Sequence, residues 1–305
     1  KSILSILTAQ WLARLGKRTV LVDLDLSGAN IHTLLGISDP PLSLNDLLAR
    51  KVSSLTETAL QTSVRDLSVI CGASENLAVA NLVVAKKIKL MRHLSQLEAD
   101  FVLLDLGAGT SFNMLDFFLF ADSQVLVTTA EPISIFNAYG FLRNSVYRRL
   151  TQMTRKITVL QELVRQAADP QNQLELKTVK DLFQTIVELG GKQLVGPIEN
   201  ELQKIRPRIV VNQVRSERDL NASQVIRSVS EKYLGMHLDE SYGVPYDRHV
   251  KQMVAQMQPL TSIREGGAIE ATYELAADLV SGGESDESDA LFDGGRETYQ
   301  VSATC

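Results

Sequence analysis

Four uninterrupted apolar runs mark the chain: Thr19-Val20-Leu21-Val22, Phe101-Val102-Leu103-Leu104, Val125-Leu126-Val127 and Ile209-Val210-Val211. A strand with one wet face alternates apolar and polar residues, whereas a run without alternation suits a strand covered on both faces, as in a parallel sheet. Helical periodicity fills the intervals. Leu4, Leu7, Trp11 and Leu15 recur at one-face spacing, and Gly16 follows as a stop before Lys17-Arg18. A second stripe, Ile135, Tyr139, Leu142 and Val146, opens through Pro132, which suits a first helical turn because its missing N–H would have no helical partner there. Strands alternating with helices predict an α/β fold: a doubly wound, mostly parallel sheet with helices on both faces, whose ligands bind at the carboxyl ends of the strands.

Two stretches break this rhythm. Residues 151 to 205 are polar and helix-like, with apolar positions at Ile157, Leu160 and Leu163, then Gly190-Gly191 and Pro197. So long a link between two strand candidates predicts a helical insertion. From Ser281 the chain turns small and acidic through Gly282, Gly283, Glu284, Asp286, Glu287 and Asp289. With little to bury, residues 281 to 305 predict a disordered tail that is dispensable for folding, beside a main domain over 1 to 280.

Composition narrows the function classes. A length of 305 residues is compatible with one large α/β unit carrying an insertion, and 45% hydrophobic with 22% charged residues is ordinary globular content. The net charge of -5, from 36 acids and 31 bases, lacks the overall basic bias of nucleic-acid binders. A local basic cluster, Arg143, Arg148, Arg149, Arg155 and Lys156, is the best candidate contact for DNA, lipid or a partner, a merely solvated face being the competing reading. No apolar run approaches the ~18 residues of a membrane span, and Trp11, Arg14, Lys17 and Arg18 interrupt any signal-peptide pattern. The expected location is the cytoplasm, or the periphery of the membrane or a pole. Cys71 and Cys305 are too few for a disulfide framework, and neither they nor His32, His93, His237 and His249 have metal-ligand spacing.

The chemistry concentrates at the predicted strand ends. Lys1-Ser2 runs directly into an amphipathic helix, as do the last two positions of a G-x-x-x-x-G-K-[ST] phosphate loop, where Lys meets the phosphates and the hydroxyl meets Mg²⁺. Asp23 and Asp25 end the first run, a spacing that suits a Mg²⁺ shell and a group placing the attacking water; a strand-terminal Asp capping the next turn fits Asp23 as well. Asp105 follows four hydrophobics in the Walker B manner, and Gly107-Ala108-Gly109 would let backbone approach a phosphate. Leu115, Phe117, Phe118, Leu119 and Phe120, around Asp116, suggest a buried helix or a dimer face.

Lys1-Ser2, Asp23-x-Asp25, Asp105-Leu-Gly-Ala-Gly109, Thr128-Thr129-Ala130-Glu131-Pro132 and Val210-Val211-Asn212, in that order, resemble the MinD/ParA family of deviant-Walker ATPases. The resemblance covers roughly residues 1 to 280 and is closest to the MinD-like branch with flagellar-number regulators of the FlhG type. It implies a P-loop NTPase fold and a Mg²⁺-dependent ATPase that dimerises on ATP and positions a cellular structure, acting with regulatory or cargo proteins. It makes Lys1 a catalytic phosphate ligand, Ser2 and Asp105 Mg²⁺ ligands, Asp23 a member of the Mg²⁺ shell and Asp25 the group that places the water. Gly107 would lie against the phosphates. Asn212 would read adenine, its carboxamide matching N6 and N7, and Pro245, in Pro245-Tyr246-Asp247, would pack on the base; a turn Asn and a Pro-initiated turn are the competing readings of these two. Only the last two positions of the family's phosphate loop are matched, which leads us to expect an N-terminally truncated, inactive fragment with a gap in its sheet. The family's membrane-binding helix is basic, and the acidic segment Glu284 to Asp293 does not match it.

Two further readings compete. A metal-cluster assembly carrier on this scaffold would need paired cysteines, and a bacterial tyrosine kinase a tyrosine cluster after Tyr273, where Tyr299 stands alone. A nucleotide-binding scaffold without hydrolysis, acting through protein contacts, would dispense with Asp23, Asp25 and Asp105.

Overall fold

The computed structural model describes residues 1–25, 28–72, 82–169, 171–238, 240–286 and 300–304. Its first half contains α1 (Ser2–Arg14), β1 (Thr19–Leu24), α2 (Ile31–Leu34), α3 (Leu44–Leu48), β2 (Ala59–Gln61), β3 (Leu67–Ile70), α4 (Val84–Leu94), β4 (Phe101–Leu106), α5 (Phe112–Phe120), β5 (Ser123–Thr128) and α6 (Pro132–Thr154). The second half contains α7 (Thr158–Ala168), α8 (Val179–Glu188), α9 (Lys192–Leu202), β6 (Arg208–Val214), α10 (Asn221–Leu234), β7 (Ser241–Pro245), α11 (Arg248–Ala255), α12 (Gly267–Asp286) and β8 (Gln300–Thr304). The strands form one sheet in the order β2-β3-β1-β4-β8-β5-β6-β7, parallel except for β2 against β3.

The four apolar runs lie in β1, β4, β5 and β6, and their lack of alternation has the expected cause. Val22, Leu24, Val102, Leu104, Leu106, Leu126, Ile209 and Val211 face one core with α4 to α10, while Leu21, Phe101, Leu103, Val125 and Val210 face a second core with α1, α11 and α12. Strand periodicity sends successive side chains to opposite faces, so both parities must be apolar when helices cover both. The same parity sets Asp23 and Asp105 on the α1 face.

Helix α1 departs from the expected single stripe. Leu4 and Leu7 are buried, but so are Ser5, Ile6, Thr8, Ala9, Gln10 and Leu12, whereas Leu15 is 37% exposed. The helix is wedged between the sheet and α12: the Trp11 indole N–H donates to the Ile269 carbonyl and its ring meets Tyr273 edge-on at 5.0 Å. Gly16 ends it at φ +80°, a conformation that costs glycine nothing. Pro132 opens α6 as the stripe indicated, and residues 151 to 205 carry the end of α6 followed by α7, α8 and α9. No helix of the described residues is long and apolar enough to cross a membrane.

The disordered tail is corrected where the structure describes it. Helix α12 continues through Ser281 to Asp286, and Gln300–Thr304 form β8, paired on both sides with β4 and β5; residues 287–299 and Cys305 lie outside the described residues. Composition misleads here because β8 is held by backbone. A central position offers N–H and C=O partners along two neighbours, and a buried strand edge left unpaired is costly. The gap expected beside Val20 to Val22 or Val102 to Leu104 is therefore absent: the first segment pairs with β3 and β4, the second with β1 and β8.

The basic cluster also disperses. Arg148 forms a two-pronged bond to Asp116 at 2.7 and 2.8 Å, Arg149 pairs with Glu201 at 3.2 Å, and Arg143 donates to the Ala168 carbonyl while lying over the Tyr147 ring. Asp116 is buried in α5 and also holds Lys87 of α4 and Gln152 of α6. Leu115, Phe117 and Phe118 of α5 are buried core, with Leu119 and Phe120 packed against it. Asp116→Ala should cost about 3–5 kcal/mol, because it strands the buried Lys87 ammonium. Urea unfolding measures this, and a loss below about 1 kcal/mol would mean the cluster behaves like a surface pair.

Candidate functional site

At the carboxyl ends of β1 and β4, just ahead of the amino end of α1, the sequence candidates Lys1, Ser2, Asp23, Asp25, Asp105 and Gly107 converge. Asp23 and Asp105 are opposite residues in the β1–β4 ladder, so two carboxylates lie side by side beneath α1. Both are buried. The Ser5 hydroxyl donates to Asp105 at 2.8 Å, Ser2 forms a further side-chain hydrogen bond to it, and Lys1 Nζ donates to the Leu106 carbonyl at 3.3 Å. Burial raises the Asp105 pKa, opposed by the Ser2 and Ser5 hydrogen bonds and the Lys1 charge.

Asp23 is enclosed. One oxygen accepts the Asp25 N–H and the other the Ile31 N–H, each at 3.1 Å. Burial first, then the charge of Asp105, pushes its pKa up to about 7 against those hydrogen bonds. Asp23 thereby positions the Asp25 backbone and the start of α2, as the capping alternative for this residue described. Asp25 is half-buried, and its carboxylate lies over Gly107, where a Cβ would come within 2.8 Å of Oδ1. Only glycine fits there without displacing the carboxylate.

Asn212 and Pro245 lie apart from this cluster, joined to it by α1. A cavity of about 380 Å³ is lined by Ile3, Leu4 and Leu7 on one side and Asn212, Pro245 and Tyr246 on the other. A second, of about 670 Å³, runs from Lys1 and Gly109 past Thr128 and Thr129 to Asn212 and Gln213. The Asn212 Oδ1 accepts the Gln213 N–H at 2.9 Å, and Gln213 adopts φ +60° at an irregularity in the β6–β7 ladder. A left-handed non-glycine residue is uncommon; with Ser5 and the Ile3-Leu4-Leu7 wall, it is a site feature that sequence reading missed. Ser5 alone left a trace, a polar residue one turn beyond Lys1 in an apolar helix. Asp247 caps α11 through His249 and Val250 and reaches the Ala268 N–H at 3.2 Å, fixing the loop after Pro245 against α12.

The arrangement suits an anion and a hard cation together. Lys1 forms no side-chain cap on α1, whose first N–H groups face the site, and a lysine beside a helix N-terminus favours phosphate. The Ser2 hydroxyl beside Asp105 supplies oxygen donors of the type Mg²⁺ takes, so the residues present fit the ion. Cys71 is buried beside Asp23, and burial pushes its thiol up to about 11. It is thus protonated near neutrality.

A sequence model of the ParA family, described as the NUBPL iron-transfer P-loop NTPase, matches residues 1–155, half of the chain. The antiactivator FleN of Pseudomonas aeruginosa is 28% identical over 145 residues, 47% of this chain and 51% of FleN, so the chain spans about half the length of that relative. The cell division ATPase MinD of Pyrococcus furiosus superposes with a TM-score of 0.58 at 18% identity, covering 92% of each chain. The septum site-determining MinD of Pyrococcus horikoshii, complexed with Mg-ADP, gives 0.58 at 17%, covering 91% of this chain and 89% of the other. At these identities the structures show the fold, a MinD-like P-loop NTPase fold.

Asp23 generates a pH test. With its value raised from 3.8 to about 7, the folded state keeps a proton that the unfolded chain releases near pH 4. This group therefore favours folding below about pH 4, and its contribution is lost as pH rises toward 7. Asp23→Asn should flatten the fall in unfolding free energy across that window, followed by urea titration at successive pH values; an unchanged slope would assign the fall to other groups.

Proposed function

The chain belongs to the ParA family of P-loop NTPases, and we propose that it is an ATP-binding and hydrolysing dimerisation switch that positions a cellular structure. The observation that carries this reading is the meeting of Lys1, Ser2 and Asp105 at the amino end of α1, with Asp25 held over Gly107 beside them. The family and its MinD-like fold support a nucleotide ligand, and the Mg-ADP in the Pyrococcus horikoshii protein is consistent with Mg²⁺ there.

In this reading Lys1 and the α1 N–H groups hold the phosphates, and Ser2 with Asp105 holds the cation. Bound Mg²⁺ would supply charge neutralisation between phosphates. Asp25, fixed through Asp23 and the absence of a side chain at Gly107, orients the attacking water. The base lies between the Ile3-Leu4-Leu7 wall and Pro245, within reach of Asn212. With Oδ1 engaged by Gln213, Asn212 offers its Nδ2 hydrogens and the remaining Oδ1 lone pair. Phe112, Ile133 and Phe136, 68%, 76% and 73% exposed, follow β4 and β5 at the same edge. Three large apolar side chains around a polar site suit a second copy of this chain. A metal-cluster carrier on this scaffold would need paired cysteines, and Cys71 with Cys305 does not supply a C-x-x-C pair. A non-hydrolysing scaffold would leave the Asp25–Gly107 arrangement without purpose.

In the complete protein, Asp25→Ala is expected to slow ATP turnover about a hundredfold while leaving affinity nearly unchanged, because water placement matters in the transition state more than in the ground state. Phosphate release and nucleotide titration read the two quantities; equal turnover in both proteins removes the role. Asn212→Ala should weaken ATP by up to about tenfold, the scale of one hydrogen bond, and leave a base-less triphosphate unaffected. Equal losses for both ligands would make Asn212 a turn residue.

A further inference from the structure

Strand β6 is irregular at its carboxyl end. Asn212 pairs with Val244 and Val214 with Pro245, so Gln213 has no partner across the β6–β7 ladder. Its φ of +60° is the left-handed conformation, uncommon for a residue other than glycine, asparagine or aspartate. The Asn212 Oδ1 accepts the Gln213 N–H at 2.9 Å and the Tyr246 N–H donates to the Val214 carbonyl at 2.9 Å, which pins the bulge on both sides. In a regular strand consecutive side chains leave by opposite faces, and a bulge re-aims one of them. Here Asn212 and Gln213 are the two described residues that line both cavities, the one between the Ile3-Leu4-Leu7 wall and Pro245 and the one that begins at Lys1 and Gly109. Gln213 is exposed at that shared rim, and its carboxamide has no hydrogen-bond partner among the described residues. Backbone strain held in place by its surroundings, at the edge of the sheet that carries the site, points to a role in ligand binding.

We propose that Gln213 reads the sugar of the nucleotide, its carboxamide bonding the ribose 2′- and 3′-hydroxyls, so that the site selects a ribonucleoside triphosphate. This rests on the nucleotide reading above and adds the residue that recognises the sugar. With the phosphates at Lys1 and the base against Pro245, the sugar lies between them, at the rim the two cavities share. A vicinal diol offers donors and acceptors together, and a carboxamide meets both with its oxygen and its two N–H bonds. Asn212 has part of its oxygen committed to the bulge, whereas the Gln213 carboxamide keeps its full set. A phosphate at this rim would call for a cation, and Arg215, two residues on, lies instead over the Tyr246 ring at 4.7 Å.

The test compares the complete protein with its Gln213→Gly variant. Glycine adopts the left-handed conformation without strain, so the substitution removes the carboxamide and keeps the bulge. Calorimetric titration with Mg²⁺ present uses ATP, 2′,3′-dideoxy-ATP and inorganic triphosphate, and urea unfolding reads the fold. The unsubstituted protein is expected to bind ATP about tenfold more tightly than the dideoxy analogue, the scale of one hydrogen bond. Gln213→Gly should bring ATP down to the level of the dideoxy analogue, leave that analogue and triphosphate unchanged, and keep or raise the urea midpoint. Equal affinities for ATP and the dideoxy analogue in the unsubstituted protein, or a preference that survives in Gln213→Gly, overturn the sugar assignment while the nucleotide reading stands. A urea midpoint that falls makes the side chain a support of the bulge and overturns the assignment as well. If the unsubstituted protein binds neither ATP nor triphosphate, the nucleotide reading falls and the sugar assignment with it.

Discussion

Asp23 and Asp105 lie opposite one another on adjacent buried strands, and much of the site's geometry answers that juxtaposition. Two carboxylates in a low-dielectric interior cannot both ionise cheaply. Backbone N–H groups of Asp25 and Ile31 converge on Asp23, while Ser2, Ser5 and Lys1 converge on Asp105 or its neighbour. These contacts tie the loop after β1 and the first turn of α1 to one point in the sheet. Asp23 nonetheless keeps a pKa near 7, so it holds its proton below neutrality, and a divalent cation beside the pair would favour the ionised form of both carboxyls.

That arrangement requires α1 to be buried where its amino end can reach the carboxylates. The helix achieves this by giving up amphipathicity: Gln10 and Trp11 donate to carbonyls of Leu260 and Ile269, so these donors are satisfied inside the layer between sheet and α12, while the buried Gln10 Oε1 has no hydrogen-bond partner among the described residues. A helix held on both sides has little freedom to shift, and preorganisation of its N–H groups is what an anion site needs. The same helix forms the apolar wall facing Pro245. One rigid element thereby fixes the distance between the phosphate end and the base end of the candidate site.

On the opposite face, Asp116 with Lys87, Arg148 and Gln152 ties α4, α5 and α6 together. Arg148 also lies over the ring of Phe112, one of the exposed apolar residues at the site's rim. The buried charge network thus reaches the surface suited to a second copy, and three members of the sequence's basic cluster are consumed in holding helices.

By itself the sequence determined the α/β class, the four central strands, the helix beginning at Pro132 and the convergence of Lys1, Ser2, Asp23, Asp25 and Asp105. These are local matters: two-sided burial demands apolar runs, and strand ends in a parallel sheet place short polar motifs on one edge. Tertiary structure alone decided the rest. The place of Gln300–Thr304 depended on backbone pairing with β4 and β5, which composition cannot register because a central strand is bound mainly through its backbone. The enclosure of Asp23, the Asp25 approach to Gly107 and the Ser5 bond to Asp105 depended on strand register and on the depth at which α1 sits. Charge pairing dispersed the basic cluster for a similar reason, since partners as distant as Asp116 and Arg148 meet only when helices pack. What a residue does locally is written in its neighbours along the chain; what it touches is set by backbone hydrogen bonding and burial, which act across the whole chain at once.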